Sequence, residues 1–287
     1  MVNAFGGSDM RKGFAVMGVL LGIIVIATYL LIYWGSAGYD PDTSLVQDTE
    51  SGPKKKGSSA FQLLKSGFTN KYCMLMCLTY FMYLVMAGIM SSTAIYYFRY
   101  NLENEGLMAA YSTAAAAGSL VSILVMRVCC KHLGNAMSCA LGCVLCIVSI
   151  LPRIITGDQN YLVFVVCIAI AGVGIGLLSS MTKQCILDAA MWGKLKTGVD
   201  NSAIVMSLFT FAMKSGTAFS TVLAAGLLAL FHYKGGQEPT PAVLKLFYAE
   251  NIIIPMAIAL LMLLLLIIIY RMEKQMVKEL AQQNAGE

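Results

Sequence analysis

Seven apolar runs, each of twenty or more residues, recur along the 287-residue chain, near 13–37, 71–97, 108–130, 134–154, 161–187, 203–231 and 252–271. At 1.5 Å per residue each run is long enough to cross about 30 Å of hydrocarbon as a helix. Inside lipid every backbone N–H and C=O must find an internal partner, and these runs lack the alternation of a barrel strand, so they can cross only as helices. The fold class that follows is all-α, a polytopic membrane protein with seven transmembrane helices. Composition agrees, since 58% of residues are apolar and only 12% charged, about half the charge of a water-soluble surface.

The longest polar segment is 38–70, which holds Pro41, Pro53 and four acids ahead of Lys54, Lys55, Lys56 and Lys65. It divides the chain into 1–37, an outside N-terminal segment with the first helix; 38–70, a cytoplasmic linker; 71–271, a six-helix bundle; and 272–287, a cytoplasmic tail. Orientation comes from the loops. Eleven Lys and Arg fall on the side of the linker and the C-terminus against six on the other, which puts the linker and the C-terminus in the cytoplasm of a multi-pass protein of the cell (plasma or inner) membrane. An odd number of spans then leaves Met1 outside. With no signal peptide in residues 1–12, the expectation is that the chain's beginning is missing.

Function is sought where ionisable groups interrupt the apolar runs, because each costs at least about 2.5 kcal/mol at a helix centre. Lys214, in the run SLFTFAMKSGTAF, lies too deep to snorkel easily, and Thr210 sits one turn earlier on the same face. A second polar group, Lys183, Gln184 and Asp188, ends the fifth span. Gln184 and Asp188 share a face while Lys183 points about 100° away, and the group reads equally as an interfacial belt or as part of a gate or pathway.

Other patterns read as scaffold. The nine cysteines, including the stripe Cys139, Cys143 and Cys146, read as small buried hydrophobes rather than metal ligands, so no metal is expected. Gly172, Gly174 and Gly176 form no nucleotide loop and read as close helix packing. The final stretch from Arg271 to Gln283 reads as a solvated amphipathic anchor. With only His132 and His232 available, both near span ends, no nucleophile, base and orienting acid assemble, so the chain is not expected to be an enzyme. Its positive charge lies in loops and implies no nucleic-acid partner.

Residues 187–198, LDAAMWGKLKTG, resemble the ADxxDYGExKTG signature of the glycoside, pentoside and hexuronide to cation symporters, the melibiose permease family of the major facilitator superfamily. Residues 207–219 resemble that family's next helix, and AIYYF at 94–98 and VNAFGG at 2–7 are similar to further segments. The resemblance implies that the seven spans correspond to helices six to twelve of a twelve-helix transporter. It implies sugar to cation symport, with Lys214 as the family's intramembrane lysine that faces the acidic cation site of the other half and serves binding and coupling, Thr210 at the sugar cavity and Asp188 as the first acid of the signature. The coupling cation, H+, Na+ or Li+, is expected mainly at an N-terminal half that this chain lacks, and no other cofactor is expected. Met191 and Lys194 depart from the signature, which has acids at both positions. The implied partners are a sugar or glycoside, membrane lipid and the missing N-terminal half, in the same chain or a separate one. The alternative is a stand-alone membrane interaction protein or half-transporter subunit that needs such a partner.

Overall fold

The computed structural model describes residues 10–36, 67–156, 158, 160–197, 202–235 and 237–284. Most of the 38–70 linker, the VNAFGG segment and the last residue of the signature, Gly198, lie outside the described residues. The chain divides into two units, Met1–Ser58 and Ser59–Glu287. The first holds one apolar helix, α1 (Met10–Ser36).

In the second unit the helices are α2 (Lys71–Tyr96), α3 (Leu107–Leu133), α4 (Asn135–Thr156), α5 (Tyr161–Thr197), α6 (Ser202–Leu230), α7 (Pro241–Tyr248) and α8 (Ile254–Asn284). A π-helical turn, Tyr97–Asn101, continues α2, and another, Ala249–Ile253, joins α7 to α8. No strand occurs among the described residues. Seven helices are long and apolar enough to cross a membrane, α7 and α8 forming one span, Pro241–Gln275. That span starts eleven residues before the 252 read from hydropathy. The sequence pattern reads Pro255 as a helix start or a mild kink, and it is the second residue of α8, directly after the π turn: Ile254 N–H donates to Ala249 O, five residues back, a register that accommodates a proline with no N–H to give.

Consecutive helices run in opposite directions, so α2, α4 and α6 begin at one end, here called lower. There Asn70 caps α2 through a bond from Cys73 N to its Oδ1 at 3.1 Å and ties it to α5 by donating to Ala189 O at 3.2 Å. At the upper end Asn101 Nδ2 donates to Leu244 O at 3.0 Å. The helix α5 packs most extensively against α3 and α4, α2 against α6 and α8, and α4 against α8. The main core lies among α2, α4, α5, α6 and α8, where Tyr72, Met76, Cys139, Cys143, Leu178, Cys185 and Met262 are buried. All nine cysteines are free thiols, and eight of them are buried.

Glycine sets how closely α5 approaches its neighbours. A Cβ on Gly174 would stand 2.7 Å from Gly142 O of α4, one on Gly142 would stand 2.8 Å from Gly174 O, and one on Gly172 would stand 2.5 Å from Ala115 O of α3. Small residues permit that backbone contact in a membrane, where packing supplies the association energy. Replacing Gly174 by Ala is expected to destabilise the bundle by about 1–3 kcal/mol, because carbonyl and methyl cannot both keep their places. A lowered unfolding midpoint in detergent is the expected reading, with Gly226→Ala, where nothing lies within 4 Å of the added methyl, as the unaffected comparison.

Candidate functional site

The helix α6 has two faces. Val205, Phe209, Gly216, Ser220 and Ala224 are buried, with Gly216 set close enough to α2 that a Cβ there would stand 3.1 Å from Phe81 O. Ser207, Thr210, Lys214, Thr217 and Thr221 are exposed on the bundle. Their spacing of three and four residues places them in one line along the helix. Among the bundle's six spans α6 buries the smallest share of its length and α3 the next smallest, so the polar line runs on an open face.

Within that line the hydroxyls are bound to their own helix. Thr210 Oγ1 donates to Met206 O at 2.8 Å, Ser207 Oγ to Ala203 O at 2.8 Å and Thr217 Oγ1 to Met213 O at 3.0 Å. Each oxygen keeps acceptor capacity facing outward. Lys214 makes no hydrogen bond or ion pair among the described residues, and it stands twelve residues, about 18 Å, from Ser202. The structure thus places Lys214 and Thr210 on the same line without a bond between them.

At the lower end a polar group joins three helices. Asn135, the first residue of α4, donates through Nδ2 to Asp188 Oδ2 on α5, and Gln184 Nε2 approaches Asp188 Oδ1 at 3.5 Å. Gln184 and Asp188 therefore share a face, while Lys183 is exposed and not bonded to either. Met191 is exposed as well, at 65%. Beside Asp188 comes a residue whose role sequence reasoning misses. Glu273 of α8 accepts from Asn135 N at 3.1 Å and from Ala136 N at 3.1 and 3.2 Å, and it is 8% exposed. The final stretch is therefore no purely solvated anchor, because its first turn caps α4.

A second missed group closes the upper end. The Arg153 guanidinium of α4 donates from Nε to Asp158 Oδ1 at 2.8 Å and from Nη2 to Oδ2, and Tyr97 OH donates to Oδ2 at 2.6 Å. The side chains of Arg153 and Asp158 are 5% and 0% exposed, and the guanidinium lies 5.5 Å from the centre of the Phe164 ring. Arg153 is one of the six basic residues counted on the side away from the linker, and the structure buries it in this pair. Its signal was present only as an Arg and an Asp five residues apart across a short turn.

The bundle thus has a polar cluster at each end and, along α6, a face lined with hydroxyls and one lysine. Such a face can hydrogen-bond a polyhydroxylated ligand and stabilise negative charge. The family model for MFS/sugar transport proteins matches residues 1–274. An uncharacterised symporter of Bacillus subtilis, YnaJ, is 26% identical over 196 residues, which cover 67% of this chain and 42% of that protein. The isoprimeverose transporter of Lactiplantibacillus pentosus is 21% identical over 296 residues, covering 99% of this chain and 59% of the relative. A glucuronide carrier protein homolog of Escherichia coli is 24% identical over 193 residues, covering 67% of this chain and 42% of its own length. The chain spans about half the length of the curated relatives it matches. With its all-α membrane fold and a family match over nearly its whole length, the chain belongs to the MFS/sugar transport proteins, the melibiose-permease-like branch of the major facilitator superfamily, a family of transporters and not of enzymes.

Proposed function

We propose that this chain supplies one half of a sugar to cation symporter, and that the polar line of α6 forms a wall of its sugar cavity. The observation that carries this reading is Lys214, a lysine deep in a membrane span, exposed on the bundle and unpaired among the described residues. Facing lipid it would be costly, so an opposing surface that is polar or acidic has to cover it. In this reading an N-terminal half, made up of the first span as its sixth helix and the five helices that precede it in a twelve-helix transporter, provides that surface, carries most of the site for the coupling H+, Na+ or Li+, and rocks against this bundle to alternate access. The substrate is a glycoside, pentoside or hexuronide, the lower end of the bundle faces the cytoplasm, and the protein works in the cell membrane. Asp188, Gln184 and Lys183 then lie at the cytoplasmic gate.

Uptake of labelled glycosides by cells that produce this chain with the first five helices of a relative, fused or as a separate polypeptide, tests the reading. Lys214→Ala is expected to lower accumulation about ten- to a hundredfold, the loss of one hydrogen bond from a charged donor worth about 1.5–3 kcal/mol. Accumulation unchanged by Lys214→Ala would overturn the assignment of Lys214 to the cavity. Uptake by the two separate chains that equals uptake by the fusion would favour the subunit form.

A further inference from the structure

Among the acids of the bundle, Glu250 has no role in any cluster described so far. It lies in the π turn between α7 and α8, nine residues inside the span that begins at Pro241, about 14 Å along the helix. Its side chain is fully buried, and among the described residues neither Oε1 nor Oε2 has a hydrogen-bond partner. Its backbone is also special. Ile254 N–H is directed to Ala249 O, and Pro255 has no N–H for Glu250's carbonyl, so the helix is locally loosened where the acid sits.

Among the described residues no cation and no hydrogen-bond donor reaches its carboxyl. Next to it, Asn251 uses its amide on Thr93 Oγ1 at 3.2 Å and on Phe247 O at 3.0 Å. The adjoining cluster consists of Tyr97, Ile150, Val243, Phe247 and Ile252, packed with further tyrosines. The elements packed most extensively against the π turn are α2, α7 and α8, and Ile150 of α4 joins the same apolar cluster. On α2 the titratable groups at this level are Tyr96 and Tyr97, and Tyr97 is bonded to Asp158. On α7 they are Lys245, which is exposed, and Tyr248. On α8 the charged groups begin at Arg271, near the other end. Beyond these elements, Arg99 pairs with Glu105 and Arg153 with Asp158. None of these groups forms an ion pair or hydrogen bond with Glu250 among the described residues.

An ionised carboxylate in such a place would lack both solvent and partner, and a buried group in that situation neutralises instead. We propose that Glu250 is a proton-binding site of this bundle: its carboxyl holds a proton in the packed conformation and releases it only when the π turn opens to water. In that release the O–H bond breaks, the electron pair stays on the carboxylate and the proton passes to water. A metal cation is the poorer ligand here, since it needs several oxygens at once, and no group of three or more His, Cys, Asp or Glu suited to a metal occurs among the described residues. The site is separate from the cation site placed in the N-terminal half under the proposed function, and it does not depend on that reading.

Infrared spectroscopy of the purified chain in lipid nanodiscs tests this directly, with Glu250→Gln as the comparison. At neutral pH the wild type is expected to show the carbonyl stretch of a protonated carboxylic acid, slow to shift in heavy water, and Glu250→Gln is expected to lack it. Because the folded bundle then holds a proton that the unfolded chain releases, stability should fall as pH rises. The thermal midpoint of the wild type should decline from acid to alkaline pH more steeply than that of Glu250→Gln. A wild type without the band at neutral pH, or a band that persists in Glu250→Gln, overturns the proposal. If Glu250→Gln fails to fold, the wild-type band and its titration decide alone. Neither readout involves transport, so failure here and failure of the sugar-cavity reading remain distinguishable.

Discussion

Arg153→Met is expected to destabilise the six-helix bundle by about 3–5 kcal/mol, the penalty for leaving one member of a buried ion pair without the other. Asp158, with a side chain 0% exposed, would keep the Tyr97 hydroxyl as its one partner among the described side chains. The pair fastens the upper end of α4 to the π turn that follows α2, because Asp158 receives donors from both. Chemical unfolding in mixed micelles measures the loss. The double replacement Arg153→Met with Asp158→Leu should recover most of it, since removing both charges leaves no buried orphan. A single Arg153→Met variant within about 0.5 kcal/mol of wild type, the range of an ordinary surface change, would show that water reaches the pair.

The second large effect is expected at the opposite end. Only Gly134, at a φ of 82°, separates α3 from α4. A reversal this tight leaves no room for a local side chain at the start of α4, although the first N–H groups of a helix have no partner within it. Glu273 fills that need from 138 residues away in sequence. Glu273→Ala is expected to cost about 1.5–3 kcal/mol for the charged acceptor it removes, with a further contribution from the lost interaction with the helix dipole. Glu273→Gln, which keeps one carbonyl oxygen for Asn135 N or Ala136 N, should fall between the two. Thermal unfolding of the three proteins side by side gives the order, and equal midpoints for Glu273→Ala and wild type would mean that another group caps α4. Hydrogen exchange at Asn135 and Ala136 locates the effect, because fraying at this terminus should quicken exchange there before the remainder of α4 responds.

Both groups also bear on how much of the molecule can be read in advance. The seven spans, the all-α class, the placing of glycine at helix contacts and the deep position of Lys214 all follow from the order of residues. Gln184 and Asp188 were expected on one face at a spacing of four, and their side chains meet there. The partner of Asp188 was not expected, since Asn135 lies 53 residues earlier and looks like an ordinary turn residue. Glu250 was passed over for a different reason. The apolar run read from hydropathy starts at 252 and leaves the acid in a loop, whereas α7 and the π turn carry the helix over it.

Sequence by itself determined that this chain crosses a membrane as helices, because hydrocarbon tolerates no unsatisfied backbone and the length of each apolar run is a one-dimensional quantity. It also carried the segments that resemble the family's signature, and a lysine deep within a span. Tertiary structure alone decided the fate of the charges: which acid caps which helix, which arginine is neutralised, and which carboxyl is left dry. A polar group in a low-dielectric interior is governed by the few atoms within hydrogen-bonding distance. For Glu273, Arg153 and Glu250 those atoms, or the lack of them, come from helices brought together by packing.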